Sequence, residues 1–390
     1  MEPLLVGESS GWRSKLHDKA LELVAASTRL DQSLPKGSAA GLADLVRSMN
    51  CYYSNLIEGH DTHPVDIERA LRADYSKEPR KRDLQLEARS HIAVQSWIDA
   101  GGLKGRAATA YGIREIHRRF CEGLPESLLT VENPDTGIRY QVVPGRWRES
   151  DVAVGRHHAV SPGAVSRFMD RFETVYATLG KLDTILAAAA AHHRLLWIHP
   201  FADGNGRVAR LMSCAMLQDS MGTSGIWSIA RGLARNESAY KDRLEDCDQP
   251  RHGDLDGRGA LSEEALAGFI DFFLEICVDQ VIFMEQLIQP TSFVSRVIRW
   301  ADAEVQAGRL AARSDRLLEA VMIRGEVERG DIENLLGTSE RTARRVTSAL
   351  LAQGALVSDS PRSRLRLGFP VKLAHNWLPG LFPEPLTGRD

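Results

Sequence analysis

Apolar residues recur at three- and four-residue spacing through most of the chain, and strict alternation is confined to two short regions. The pattern predicts a mainly α-helical protein. Residues 13 to 30 read as an amphipathic helix, broken at Leu34-Pro-Lys-Gly. A second helix from about 42 to 59 ends at Gly59 as its C-cap. Residues 63 to 100 continue as helices, and the stretch from Asp83 to Asp99 carries both charge signs and is expected to be half solvated. After the Gly101-Gly-Leu-Lys-Gly loop a helix spans about 107 to 121. Leu182 to Ile198 is rich in Ala and Leu and free of Gly and Pro, which reads as a mostly buried helix. Others begin at Arg207, at Asn236 and at Ser262, the last running to about 287. Between Val131 and Gly155, Pro134, Gly137, Pro144 and Gly145 separate two β-prone pieces, Ile138 to Val143 and Asp151 to Val154. These read as a hairpin.

Pro290 marks a boundary, followed by a connecting helix within 291–312. Three short helices then fill 314–323, 329–337 and 339–354, and Val357 to Phe369 alternates around Pro361. The order resembles a winged helix-turn-helix over 313–370, with 339–352 as its recognition helix and 371–390 as a tail. Arg341, Arg344 and Arg345 on that helix and Arg362, Arg364 and Arg366 on the wing could meet a DNA backbone. Ten arginines stand against eight acids over 310–370, a weak electrostatic footprint, so DNA binding and protein docking or dimerisation both stay open.

Composition narrows the class. With 390 residues, 43% apolar and 26% charged, the chain reads as two or three soluble globular domains. Its net charge of −3 gives no general affinity for polyanions. Five scattered cysteines without a Cys-x-x-Cys pair indicate neither a disulfide frame nor zinc. No leader pattern and no apolar run of membrane-spanning length occurs, so a cytoplasmic protein without membrane contact is expected.

The chemistry concentrates in Ile198 to Arg210, reading Ile-His-Pro-Phe-Ala-Asp-Gly-Asn-Gly-Arg-Val-Ala-Arg. Pro200 disfavours an α conformation at His199, which therefore leaves the helix with its imidazole free to face a cleft. Gly204, Asn205 and Gly206 allow a tight loop with positive φ into the next helix, whose N-terminal N–H groups suit phosphate oxygens. Arg207 and Arg210 lie three apart and add guanidinium forks to the same anion. Asp203 beside phosphates argues for a bridging Mg²⁺, and a histidine takes a proton from a hydroxyl near neutral pH. Together these parts describe a nucleotidyl or phosphoryl transferase. No P-loop is present. The pairs His157-His158 and His192-His193 read as structural or surface residues, since adjacent residues on a helix do not converge on one metal.

The unbroken His-Pro-Phe-x-Asp-Gly-Asn-Gly-Arg-x-x-Arg stretch resembles the signature of the Fic family. Further similarity lies in Gly145-Arg-Trp-Arg, Val152-Ala-Val, Ser161-Pro-Gly-Ala-Val, Tyr240-Lys-Asp-Arg-Leu and Phe269-Ile-Asp-Phe-Phe-Leu, across roughly residues 40 to 290. The resemblance implies a Fic-type helical bundle with a β-hairpin flap and a core over 101–290, preceded by an N-terminal helical region, 1–100. It implies AMP transfer from Mg²⁺·ATP to a Ser, Thr or Tyr hydroxyl of a protein, self-modification included. His199 would be the base and Asp203 the metal ligand. Gly204, Asn205 and Gly206 would cradle phosphates, Arg207 and Arg210 would hold the β- and γ-phosphates, and Tyr240 would lie near the nucleotide. The flap would hold the target segment by strand addition. It also implies that Ser54-x-x-x-Glu58-Gly is an inhibitory motif, Glu58 pairing with Arg210 where the γ-phosphate would sit. Ser54 is expected to act mainly through its helix. Two alternatives stay open: a DNA-binding regulator using the core as a nucleotide sensor, and different chemistry on the same site, either removal of AMP with Glu58 orienting a water or transfer of another phosphate-containing group.

Overall fold

The computed structural model describes residues 1–33, 38–132, 137–223 and 225–383. The fold is mainly α-helical. The expected breaker at 34–37, the Pro134 turn and the end of the tail (384–390) lie outside the described residues. The helices in order are α1 (Arg13–Ser33), α2 (Ser38–Ile57), α3 (Pro64–Leu71), α4 (Pro79–Asp99), α5 (Ala110–Glu122), α6 (Val165–Tyr176), α7 (Lys181–Ile198) and α8 (Asn205–Met221). They continue as α9 (Ile229–Arg235), α10 (Glu237–Asp246), α11 (Glu263–Ile288), α12 (Pro290–Gln306), α13 (Ser314–Arg324), α14 (Ile332–Leu336), α15 (Glu340–Ala352) and α16 (Val371–Trp377). Short strands are β1 (Thr130–Glu132), β2 (Arg139–Gln141), β3 (Ala153–Val154), β4 (His157–His158), β5 (Glu326–Val327), β6 (Leu356–Val357) and β7 (Leu365–Leu367).

The chain divides into two compact units, one of residues 1–28 and 50–281, the other of 29–49 and 282–390. At the centre of the first lie α7 and α8. Ala187 to Ala191 are fully buried, and their short side chains let α8 approach until the Ser213 hydroxyl lies 3.3 Å from the Ala188 carbonyl. Leu195, Ile198 and Phe201 are fully buried at the α7 exit, each worth about 1.5–3 kcal/mol of transfer free energy. α5 starts at Thr109, whose hydroxyl accepts the Gly112 N–H at 2.9 Å, and packs inward through Ile113, Ile116 and Phe120.

Two expectations change. α4 is not simply half solvated, because Gln85, Glu87, His91 and Gln95 lie buried in its inner stripe beside Ala88 and Ile92. Charge along a helix does not say which face is turned inward when the neighbouring surface is itself polar. The expected pairing of 138–143 with 151–154 does not form either. β2 pairs back onto β1, and β3 pairs with β4. Pro144 has no N–H to give a ladder, and Gly145 has φ 73°, so residues 142–151 leave the sheet. β-propensity marks strand segments but does not select their partners.

In the second unit α13, β5, α14 and α15 precede the β6–β7 hairpin, and β5 joins β7 to give a three-stranded antiparallel sheet in the order β5-β7-β6. The presumed tail contains α16, whose Trp377 packs edge-on to Trp300 of α12 at 5.3 Å.

Candidate functional site

His199 ends α7 in the left-handed conformation (φ 51°, ψ 61°), its N–H bonded to Leu195 O at 2.9 Å. Pro200 therefore removes it from the right-handed helix, but into a strained turn and not the extended conformation a pre-proline residue favours. Its Nδ1 lies 3.3 Å from the Leu196 carbonyl, so Nδ1 carries the hydrogen and Nε2 the lone pair. Burial, with smaller contributions from Arg148 and His157, pushes its pKa down to about 4 against the opposing Leu196 carbonyl. The imidazole is neutral at physiological pH.

The loop is braced from within. Asn205 Oδ1 accepts the Phe201 N–H at 3.0 Å and its Nδ2 donates to Phe201 O at 2.9 Å. Its side chain is thus consumed, and the first N–H groups of α8, which have no intrahelical acceptor, are what the loop offers to an anion. Only Gly204 takes positive φ, 78°. At Gly206 a Cβ would lie 2.3 Å from Glu58 Oε1, so a side chain there would displace the Glu58 carboxylate. Beneath the loop His117 stacks on Phe201 with ring centres 3.8 Å apart. Its Nδ1 accepts the Gly145 N–H at 2.8 Å and its Nε2 donates to Asp203 O at 3.3 Å. Burial lowers its pKa to about 4, so it too is neutral.

Two buried arginines follow. Arg210 donates from Nε to Ser54 Oγ at 2.8 Å, and from Nη2 to Ser54 O at 3.0 Å and Glu58 Oε1 at 2.5 Å. Glu58 is held there by the α2 exit, where the His60 N–H reaches Asn55 O at 2.9 Å and Gly59 takes φ 78°. Burial alone would raise the Glu58 carboxyl, but Arg210 and Arg207 outweigh it and hold it below the usual carboxylate range. Arg207 forms a buried ion pair with Glu87 of α4, lies 3.4 Å from Asp203 Oδ2 and covers the Phe120 ring at 5.0 Å. His60 Nδ1 lies 2.8 Å from the other Glu87 oxygen. Glu87, His60, His117 and Arg148 were not singled out from the sequence as site residues. Only Arg148 left a trace there, inside the Gly-Arg-Trp-Arg piece.

Tyr240, on α10, is buried behind Arg210, to which it is hydrogen-bonded. Its hydroxyl lies 2.7 Å from His192 Nε2, and His192 Nδ1 lies 3.0 Å from Ser213 Oγ. Burial drives His192 down to about 3 and Tyr240 up to about 12, so both stay neutral. His193 is buried against Asp248 at 3.1 Å, His157 touches the same carboxylate at 3.3 Å, and His158 is exposed on β4. Among the described residues no group of three or more His, Cys, Asp or Glu is placed to hold a metal ion. A cation here would have one protein carboxylate, Asp203, whose side chain keeps 46% exposure although enough protein surrounds it for burial to raise its pKa. A single hard oxygen donor completed by substrate phosphates fits Mg²⁺.

Residues 108–217 match the Fic/DOC family. Protein adenylyltransferase Fic of Drosophila grimshawi is 29% identical over 168 residues, covering 43% of this chain and 32% of that protein. The same-named protein of Drosophila willistoni is 29% identical over 170 residues, 43% of this chain and 31% of its own. The match thus spans about a third of these relatives' length. Among solved structures, a Fic family protein from Desulfovibrio desulfuricans superposes with a TM-score of 0.52 at 18% identity, over 93% of this chain and 98% of that one. Fic-1 (residues 134–508) of C. elegans gives 0.52 at 18% identity, over 72% and 74%. At these identities the structural likeness shows the fold. The chain thus carries, over residues 108–217, a segment that matches the Fic/DOC family, set in a fold shared with Fic proteins.

Proposed function

We propose that the protein transfers AMP from ATP to a Ser, Thr or Tyr hydroxyl of a protein, and that Glu58 holds this activity off. The observation that carries the reading is the 2.5 Å contact of Glu58 with Arg210, in the fork a terminal phosphate needs, beside a neutral His199. Phosphates would lie against the N-terminus of α8, with Gly206 leaving room for them. His199 Nε2 takes the acceptor hydroxyl's proton as its oxygen bonds to the α-phosphorus and pyrophosphate leaves. Asp203 would hold the Mg²⁺, which when bound neutralises phosphate charge. The need is electrostatic: with Glu58 in place, Arg207 and Arg210 (+2) face Glu58, Glu87 and Asp203 (−3), and even without Glu58 they only balance the two remaining carboxylates. Tyr240, through Arg210, would orient the phosphate fork without touching the nucleotide.

A second reading, removal of AMP from a modified protein, has one observation in its favour. Glu58 Oε2 makes no hydrogen bond among the described residues and the side chain keeps 27% exposure, leaving an oxygen that could orient a water. The test is intact mass of Glu58→Gly protein after incubation with Mg²⁺·ATP, beside wild type and Glu58→Gly/His199→Ala. One adenylyl group on Glu58→Gly alone is expected. No adduct in any, with loss of AMP from a modified partner catalysed by wild type, would favour removal.

A further inference from the structure

Four consecutive carbonyls close α7 and its exit, those of Trp197, Ile198, His199 and Pro200, and a helix end leaves such groups without intrahelical donors. Here every one is met by a single segment, 148–158. His157 Nε2 donates to Trp197 O at 2.8 Å, and Arg148 Nη2 reaches Ile198 O at 3.4 Å. Arg148 Nε donates to His199 O at 2.7 Å, and the Arg148 backbone N–H donates to Pro200 O at 2.9 Å. The remaining donors grip the hairpin on both sides, Nη1 at Ser150 O (2.7 Å) and Nη2 at Val160 O, while Asp248 Oδ2 lies 3.3 Å from the other nitrogen of His157. Arg148 is only 4% exposed, so its acceptors are carbonyls and not water.

We propose that Arg148 is the positioning residue of His199: its buried fork, joined by His157, holds the last carbonyls of α7 and so fixes the left-handed turn from which the His199 ring is presented. This rests on His199 acting as the base. A left-handed histidine is strained and persists only where its surroundings over-determine it. Without the fork, the turn relaxes and Nδ1 leaves the Leu196 carbonyl. Because the same guanidinium holds Ser150 O and Val160 O, the β3–β4 hairpin and the base move as one piece. A target strand added to that hairpin would be read at the ring. Lysine keeps the charge but has no planar fork, so it cannot reproduce the grip.

The test uses the full-length chain carrying Arg148→Lys or Arg148→Met, each alone and in the Glu58→Gly background, with ¹³C,¹⁵N-labelled histidine. The His199 signal is identified by its loss in His199→Ala. The charged and titratable groups around the ring are Arg148, His157 and Glu58. Wild type should show a neutral ring with the hydrogen on Nδ1 between about pH 5 and 8, whereas both variants should titrate at least about one unit higher and lose that tautomer preference. In the Glu58→Gly background, AMP transfer should fall in kcat by about 100-fold while the KM for ATP stays within about twofold. Wild-type titration and tautomer in both variants would overturn the proposal, as would full recovery of kcat by lysine. If Glu58→Gly forms no adduct, the transfer reading fails and the histidine spectra still decide on Arg148. If the methionine variant does not fold, the lysine variant carries both readouts.

Discussion

Ser54 is where the sequence and the structure part most usefully. Read from spacing, it shares a helix face with Glu58 and has no stated partner. In the fold its hydroxyl is fully buried and accepts directly from Arg210 Nε, while its carbonyl takes Nη2. A hydrogen bond to a charged donor contributes about 1.5–3 kcal/mol, so Ser54→Ala should loosen the lock and raise self-modification by about tenfold over wild type. That increase should stay below that of Glu58→Gly. Initial rates of AMP incorporation at saturating Mg²⁺·ATP would measure it, and a Ser54→Ala rate equal to wild type would return the residue to a role in its helix alone. The motif residues were legible because His, Asp, Gly and Arg stood together without a gap. Glu87 was not, because a glutamate among alternating charges carries no mark of burial.

α4 shows what an element hides from its own sequence. Its inner stripe is polar because three of its members meet polar partners, Gln85 the backbone of Asp66 and Ser76, Glu87 the Arg207 guanidinium and Gln95 the Asn50 amide. Removing one partner of a buried ion pair strands the other charge, at about 3–5 kcal/mol. Glu87→Ala should therefore lower the first urea-unfolding transition of the full chain by that amount, followed by tryptophan fluorescence. Glu87→Gln, which keeps an acceptor for one guanidinium N–H, should cost less. A Glu87→Ala change below about 1 kcal/mol would mean that Arg207 finds water and that the pair is not structural. By contrast α7 and α8 were readable nearly end to end, although α8 begins at Asn205 and not at Arg207, which takes Asn205 and Gly206 from the expected loop into the helix. Their alanines and leucines fix the helix type, and Pro200, Gly204 and Gly222 fix the ends, with Gly204 and Gly222 both at positive φ. The hairpins were readable as strand segments only, since pairing is a long-range choice. α16 escaped because seven residues between Pro370 and Leu378 hold too short a periodic pattern to stand out.

The whole chain carries a net charge of −3, and half of the arginines expected to face DNA are met by neighbouring carboxylates. Of the six arginines that the sequence set on the recognition helix and wing, three are neutralised locally. Arg344 pairs with Glu340 at 2.5 Å, Arg364 with Glu326 and with Glu328 at 2.5 Å, and Arg366 with Asp359 at 2.5 Å. Arg341, Arg345 and Arg362 have no side-chain partner among the described residues and are exposed. Counterion release scales with the phosphates neutralised, so three free guanidinium groups give a log–log salt slope no steeper than about −3 on duplex DNA. Fluorescence anisotropy of full-length protein on two unrelated duplexes, over a salt series, should show that shallow slope with equal affinity for both. A slope of about −6 or steeper with preference for one duplex would mean that the local ion pairs open on contact. That result would restore the DNA-binding regulator, with the Fic core as its nucleotide sensor, over the enzyme. A shallow slope would mean that the arginine–carboxylate pairs of β5, β7 and α15 stay closed beside DNA, their charges already met within the unit.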